Sequence, residues 1–300
     1  MHSPGEVAMV RVPVNEPWTI ARVSAWVAKD LSARGFPSPR LEAELLVAHA
    51  LKLRRLDLYL RHDQPLRDAE LADVRGLVAR RRRHEPLAYL TGERDFYGRS
   101  FVVDRRVLIP RPETEHVVDA VIDFVRARGT AEGRMLDLCT GSGCIAVTCA
   151  LELKSLTVDA VDLSPDALAV ARENVAKHAV GERVTLHQGD LYAPLPAARY
   201  DVIASNPPYI PRGEIADLMP DVAQHEPHLA LDGGEDGFTV LRPLLEGALD
   251  RLVPQGLLVV ELGHDQGERA VALAARCGLV DPHMVKDLAG IPRVLVARAP

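Results

Sequence analysis

Met135-Leu136-Asp137-Leu138-Cys139-Thr140-Gly141-Ser142-Gly143-Cys144-Ile145-Ala146 is an apolar strand that runs through a turn of small residues into a helix. Glycines at such a turn let the backbone come close to a ligand, and the helix start offers unpaired N–H groups. One strand later comes Ala160-Val161-Asp162-Leu163-Ser164-Pro165. A carboxylate at that strand tip, about 20 residues past the glycine turn, is placed to accept hydrogen bonds from both hydroxyls of a ribose. Ser164, directly before Pro165, is the better helix N-cap, which leaves Asp162 for a ligand. Turn and acid together imply a nucleoside-containing cofactor. The dinucleotide pattern G-x-G-x-x-G is met only in its loose form, with Ala146 in the third place, so which cofactor binds stays open at this point.

Working outward, strand-like runs at 134–138, 157–162, 183–188, 201–205, 256–262 and 293–298 alternate with helix-like segments at 113–127, 142–153, 165–179, 237–252 and 266–277. Such alternation predicts an α/β fold, a doubly wound sheet with helices on both faces and a ligand beyond the carboxyl ends of its strands. Upstream, the chain reads as helices alone. Val23, Trp26, Val27 and Leu31 recur at helical spacing before Gly35. Ser38-Pro39 resembles an N-cap with proline in the first turn, opening a helix whose inner face is expected to carry Leu41, Leu45 and Ala48. A third helix over 68–83 aligns Leu71, Val74 and Val78 and ends in Arg80-Arg81-Arg82-Arg83. Gly92, Gly98 and Ser100-Phe101-Val102-Val103 suggest a hairpin connector. The expected division is a flexible N-terminus at 1–17, a helical-bundle domain at 18–88, a hairpin connector at 89–109 and a catalytic domain at 110–300.

Composition narrows the function. With 300 residues, 47% hydrophobic and 26% charged, the chain has the ordinary globular mixture and room for two domains. A net charge of −6 is opposite in sign to what broad electrostatic attachment to nucleic acid needs. Arg80–Arg83 suits either a solvated helix terminus or a docking surface for an acidic partner or ribosomal RNA. Cys139, Cys144, Cys149 and Cys277 fit neither a paired metal-binding motif nor a disulfide framework, and a reducing cytoplasm is the expected compartment. The segment 1–17 lacks a basic stretch followed by an apolar one, so no secretory signal is expected. No apolar run reaches the ~18 residues of a membrane-spanning helix. Aromatic residues make up 4%, and the few at Tyr89, Phe96, Tyr97, Phe101 and Tyr209 are expected to hold flat groups at a binding site.

The strand Tyr200-Asp201-Val202-Ile203-Ala204-Ser205 ends in Asn206-Pro207-Pro208-Tyr209. Two prolines fix φ and remove two donors, which makes a stiff loop rich in acceptors. The Asn206 amide oxygen and a rigid carbonyl suit a substrate –NH2, and Tyr209 adds a face for a planar group. Accepting both amide hydrogens aims the nitrogen at an electrophile and stabilises the positive charge that grows on it.

Turn, acid and loop together resemble class I S-adenosylmethionine-dependent methyltransferases acting on planar nitrogen groups. Glu85-Pro86-Leu87-Ala88-Tyr89-Leu90-Thr91-Gly92, Phe96-Tyr97-Gly98, Ile109-Pro110-Arg111-Pro112-Glu113-Thr114-Glu115, the segment from Asp232 to Gly237 and that from Lys286 to Gly290 sharpen the resemblance to the release-factor glutamine N5-methyltransferases, PrmC or HemK. It covers nearly the whole chain after Trp18. The resemblance implies that Cys139, Thr140, Gly141, Ser142 and Gly143 wrap the methionine part of S-adenosylmethionine. It places Asp162 on the ribose, with Gly189, Asp190 and Leu191 beside the adenine. Asn206 and the Pro207 carbonyl would bind the substrate amide, Pro208 and Tyr209 would shape its slot, and Arg111, Pro112 and Glu113 would close over the cofactor. Cys139 stands where glycine is common, and Leu191 where an aromatic is common. The implied substrate is the glutamine of a Gly-Gly-Gln loop in peptide chain release factors. The chemistry calls for no metal, no nucleophilic residue and no strong base; His225 and His228 are read as surface or packing residues, Cys144 and Cys149 as packed on a helix. The rival readings are a ribosomal-protein glutamine methyltransferase, a DNA or RNA base methyltransferase, and a cofactor-binding scaffold without activity.

Overall fold

The computed structural model describes residues 17–129, 132–287 and 289–300, so the expected N-terminal segment, apart from Pro17, and Leu288 lie outside the described residues. The chain divides into two compact units between Thr91 and Gly92.

The first unit is helical. Its opening helix, Ile20–Ala33, starts at Thr19, whose hydroxyl accepts the Arg22 N–H, and stops before Gly35, whose φ of +79° is open to glycine without strain. Ile20, Val23, Val27 and Leu31 are buried against Leu46 and Val47 of helix Pro39–Leu51 and Val74 and Val78 of helix Asp68–Arg81. Two local expectations change. The Ser38 side chain makes no capping bond, so Pro39 alone starts its helix, and the buried face there is Ala43, Leu46, Val47 and, as expected, Ala48, while Leu41 is exposed.

Three residues of the arginine run are paired within the unit, and one of them is buried. Arg80 pairs with Glu85 at 2.6 Å, Arg82 with Asp30 at 2.6 Å, and Arg81 is buried, with Nε 2.6 Å from Glu42 and its guanidinium over Phe36. Each of these three charges has an acidic partner within the unit, and Arg80 and Arg82 stay partly exposed beside theirs.

The second unit begins with a hairpin, β1 (Glu93–Phe96) and β2 (Arg99–Val102). Phe96 pairs with Arg99, so the loop is Tyr97-Gly98, and their positive φ values of 50° and 69° give the turn whose twist matches the strands. Three of the connector's aromatics are engaged within the unit. Phe96 and Phe101 are buried edge to face at 6.0 Å in the main core, and the Tyr97 hydroxyl donates to Asp119.

The sheet comprises β3 (Gly133–Leu138), β4 (Leu156–Asp162), β5 (Val184–Gln188), β6 (Tyr200–Ser205), β7 (Leu252–Glu261), β8 (Val280–Lys286) and β9 (Pro292–Arg298) in the order β5-β4-β3-β6-β7-β9-β8. β5, β4, β3, β6 and β7 are parallel; β9 runs antiparallel to β7 and β8. Alternation along the strands splits the core. Met135, Val202, Ala204, Leu257 and Val259 pack on the face covered by helices Glu115–Arg128 and Cys144–Glu152; Leu136, Leu138, Ile203, Leu258 and Val260 pack on that covered by Leu241–Arg251 and Gly267–Arg276. The predicted strands and long helices are all present; β8 and the short helices between Arg212 and Leu231 are additions. The chain moves outward from β3 to β5 and then returns to β6, so the strand order switches between β3 and β6, where a crevice opens at the carboxyl ends. Among the described residues no helix is long and apolar enough to cross a membrane.

Candidate active site

The crevice lies at that switch. Its floor is the turn after β3, where Cys139, Gly141 and Gly143 all take positive φ values of 58°, 55° and 79°. Cys139 therefore adopts the left-handed conformation that glycine takes freely, at a cost of about 1–2 kcal/mol. The turn is held from both sides: Thr140 N–H donates to the Val161 carbonyl, and Gly143 N–H to the Thr140 carbonyl. Gly141 has open space where a side chain would stand. Gly143 does different work. A Cβ there would press on Ala171 at 3.3 Å, so this glycine lets two helices approach, and it does not line the cleft.

Asp162 ends β4 with both oxygens engaged by backbone: Oδ2 accepts the Gly141 N–H at 2.8 Å and Oδ1 the Ser164 N–H at 2.9 Å, and the Leu163 backbone adds to them. Burial raises its pKa, against the pull of these backbone donors. Each oxygen keeps lone-pair capacity for a hydroxyl in the cleft. Ser164 caps the following helix by accepting the Ala167 N–H. Behind the turn, Asp137 is wholly buried; Oδ2 accepts from Thr140 and Ala146, Oδ1 has no partner, and burial pushes the carboxyl up to about 7.

Of the residues singled out from sequence, Cys139, Thr140, Gly141 and Ser142 line the cleft, as do Asp162, Asp190 and Leu191, and Asn206 and Pro208 after β6. Gly143, Pro207, Tyr209, Arg111 and Pro112 do not. Arg111 turns away to Glu226, at 2.6 Å, and Glu226 also accepts the Ile109 N–H at 3.1 Å. This pair joins Leu108 and Pro110 on one side of the cleft to Pro227, Leu229 and Ala230 on the other. Pro112 starts a short 3-10 turn that leads to Thr114, which does line the cleft. Tyr209 directs its hydroxyl to Glu261 Oε1 at 3.3 Å, and its carbonyl accepts from Gln266 at 2.7 Å. No aromatic residue is among those lining the cleft; Leu163, Leu191 and Val240 supply apolar surface there.

Three contributors escaped the sequence reading: Thr114 as a hydrogen-bonding group, Glu226 and Glu261. Thr114 Oγ1 accepts from Asn206 Nδ2 at 3.2 Å and donates to Glu261 Oε2 at 2.6 Å. An acid closing a buried strand was the available signal for Glu261, as it was for Asp162. His225 and His228 are not cleft residues, and His228 is exposed; Cys149 is buried on its helix, and Cys144, buried on the same helix, lines the cleft.

A seven-stranded sheet of this order, with a glycine turn and an acid at the ends of its adjacent strands β3 and β4, defines a class I methyltransferase. A family model described as the PrmC N-terminal domain matches residues 23–92, and one described as the methyltransferase small domain matches residues 119–235. A release factor glutamine methyltransferase of Geobacter sulfurreducens is 44% identical over 94% of this chain and 98% of its own length. One from Bordetella pertussis is 45% identical over 85% and 93%. The 16S rRNA N2 methyltransferase of T. thermophilus, solved with AdoMet and guanosine, shares the fold at 17% identity and a TM-score of 0.50, covering 69% of this chain and 50% of that one. The chain belongs to the release factor glutamine methyltransferase family.

Proposed function

We propose that the protein methylates the side-chain amide nitrogen (N5) of the glutamine in the Gly-Gly-Gln loop of peptide chain release factors, using S-adenosylmethionine. The carrying observation is the amide of Asn206. Its Nδ2 is occupied by Thr114 Oγ1, which leaves Oδ1, an acceptor, for a substrate N–H in the cleft. The full-length relatives named for this reaction support the substrate class.

The cleft residues fit the cofactor. Burial pushes the Cys139 thiol pKa up, and the charges of Asp162, Asp137 and Asp190 add to it; Asp162 and Asp190, which line the cleft, suit a ligand carrying a sulfonium and an ammonium. Asp162 is suited to the ribose, Cys139 to Ser142 to the methionine part, and Asp190 and Leu191 to the adenine, packed on aliphatic carbon. Gly143 serves these contacts only by closing the helix packing, and Arg111 and Pro112 act from outside the cleft. The bound cofactor supplies an electrophilic methyl group; transfer breaks its C–S bond as the N–C bond forms, and the nitrogen's proton leaves to water.

The protein's own task is alignment. An amide nitrogen is a poor nucleophile because its lone pair is delocalised, so holding both N–H groups is what fixes its direction. Asn206 Oδ1 accepts one of those hydrogens; the Pro207 carbonyl, which the family resemblance pairs with the other, belongs to a residue outside the cleft lining, and as the nitrogen turns cationic the Asn206 acceptor strengthens. Pro208 and Tyr209 stiffen the loop that carries them. The test is transfer of label from S-adenosylmethionine to four acceptors in parallel: a release factor, DNA, ribosomal RNA and ribosomal protein. Label in the release factor is expected, and label in any of the other three instead overturns the substrate assignment.

A further inference from the structure

One carboxylate anchors both ends of the acceptor loop. Glu261, last residue of β7 and 2% exposed, accepts Thr114 Oγ1–H on Oε2 at 2.6 Å and faces the Tyr209 hydroxyl with Oε1 at 3.3 Å. Thr114 in turn accepts from Asn206 Nδ2. An ionised carboxylate can only accept, so Thr114 must spend its single proton on Glu261. Its oxygen is then left to accept, and only the –NH2 end of Asn206 can serve it. The direction of the whole chain is set at Glu261, and its free end is the Asn206 oxygen in the cleft.

We infer that Glu261 is a positioning residue for methyl transfer, acting through Thr114 to hold the Asn206 amide with its oxygen toward the substrate nitrogen. The inference rests on the glutamine-methylating reading above and adds to it the group that fixes the orientation of the key acceptor. Protonated, Glu261 gains a donor; Thr114 can then reverse, and Asn206 can turn its –NH2 toward an amide that needs acceptors.

The groups around Glu261 bear on that proton. Burial pushes its carboxyl up to about 7, the hydrogen bonds from Thr114 and Tyr209 oppose this, Glu113 adds to the rise, and Arg293 lowers it. The ionised, correctly oriented form is thus gained as pH rises through about 7. Turnover should follow the same limb.

The experiment measures kcat and KM for methyl transfer to a release factor between pH about 5.5 and about 8.5, with S-adenosylmethionine binding and thermal melting recorded on every variant. In T114V the relay is cut at nearly constant volume, and kcat falls by about 10- to 100-fold while the affinity for S-adenosylmethionine stays within about threefold. T114S, which keeps the hydroxyl, restores most of that loss. In E261Q the limb near neutrality flattens, because no proton can be gained or lost there. Folded T114V with the wild-type kcat, or E261Q with the wild-type limb, overturns the inference and leaves the reading of the reaction standing. Wild-type protein that methylates no glutamine overturns both.

Discussion

Replacing Arg111 by methionine should loosen the roof of the cleft, and the structure sets the size of the effect. The Glu226 side chain is 1% exposed and Arg111 31%. Removing one partner of a fully buried pair costs about 3–5 kcal/mol. Arg111 is partly solvated and Glu226 can take up a proton, so a loss of about 2 kcal/mol is expected. For a unit of this size that lowers the melting temperature by roughly 4–8 °C. The pH dependence carries a sign. Burial already raises the Glu226 pKa while Arg111 holds it down, so without Arg111 it rises further above its unfolded value. A carboxyl raised in the folded state contributes stability below its unfolded pKa and loses it as pH climbs through the folded one. The deficit of R111M should therefore be smaller near pH 5 and larger near pH 8, and E226Q in the same chain should recover part of it. Melting curves at both pH values, with and without S-adenosylmethionine, read all of this; the cofactor should also bind about tenfold more weakly, a change of about 1.4 kcal/mol. An R111M protein that melts with wild type at both pH values and binds the cofactor equally well refutes the role given to the pair.

Asn206→Ala should lower kcat by about 10²- to 10³-fold and leave cofactor affinity nearly unchanged, a split that calorimetry and a transfer assay resolve. Asp162→Ala orphans the Gly141 and Ser164 N–H groups and removes the ribose acceptor, so the cofactor Kd should rise about 100-fold, from a loss of about 3 kcal/mol; an unchanged Kd moves the nucleoside elsewhere. Gly237→Ala places a methyl group against the Tyr209 carbonyl and Gln266 at a φ of +76°, so it should displace the acceptor loop and cut kcat more than it raises the cofactor Kd. Arg81→Ala leaves Glu42 buried without its partner and should cost about 3–5 kcal/mol in denaturant titration; a surface arginine would cost almost nothing.

The parts of the site that were legible in sequence are those whose partners are neighbours in the chain or occupy matching strand ends. The turn from Cys139 to Gly143, Asp162 and the loop from Asn206 to Tyr209 each follow a β-prone run, and strand ends in this topology converge. What stayed hidden depends on distant pairing. Thr114 and Glu261 are 147 residues apart, and Arg111 and Glu226 are 115 apart. The partners of Arg81 and Arg82 stayed hidden because Glu42 and Asp30 lie 39 and 52 residues upstream. β8 was missed for a local reason: Val280-Asp281-Pro282-His283 interrupts its pattern, and an edge strand tolerates proline that a central one would not. The aromatics misled because their position in the chain is near the site, whereas Phe96 and Phe101 are needed to pack the hairpin.

The most direct test is to locate the transferred methyl group. A release factor incubated with isotopically labelled S-adenosylmethionine and the wild-type protein, digested and sequenced by tandem mass spectrometry, should carry one labelled methyl on the glutamine of its Gly-Gly-Gln loop, and a factor with glutamate there should carry none. Label on another residue, or undiminished label on the glutamate variant, would contradict an acceptor site built to hold a side-chain amide.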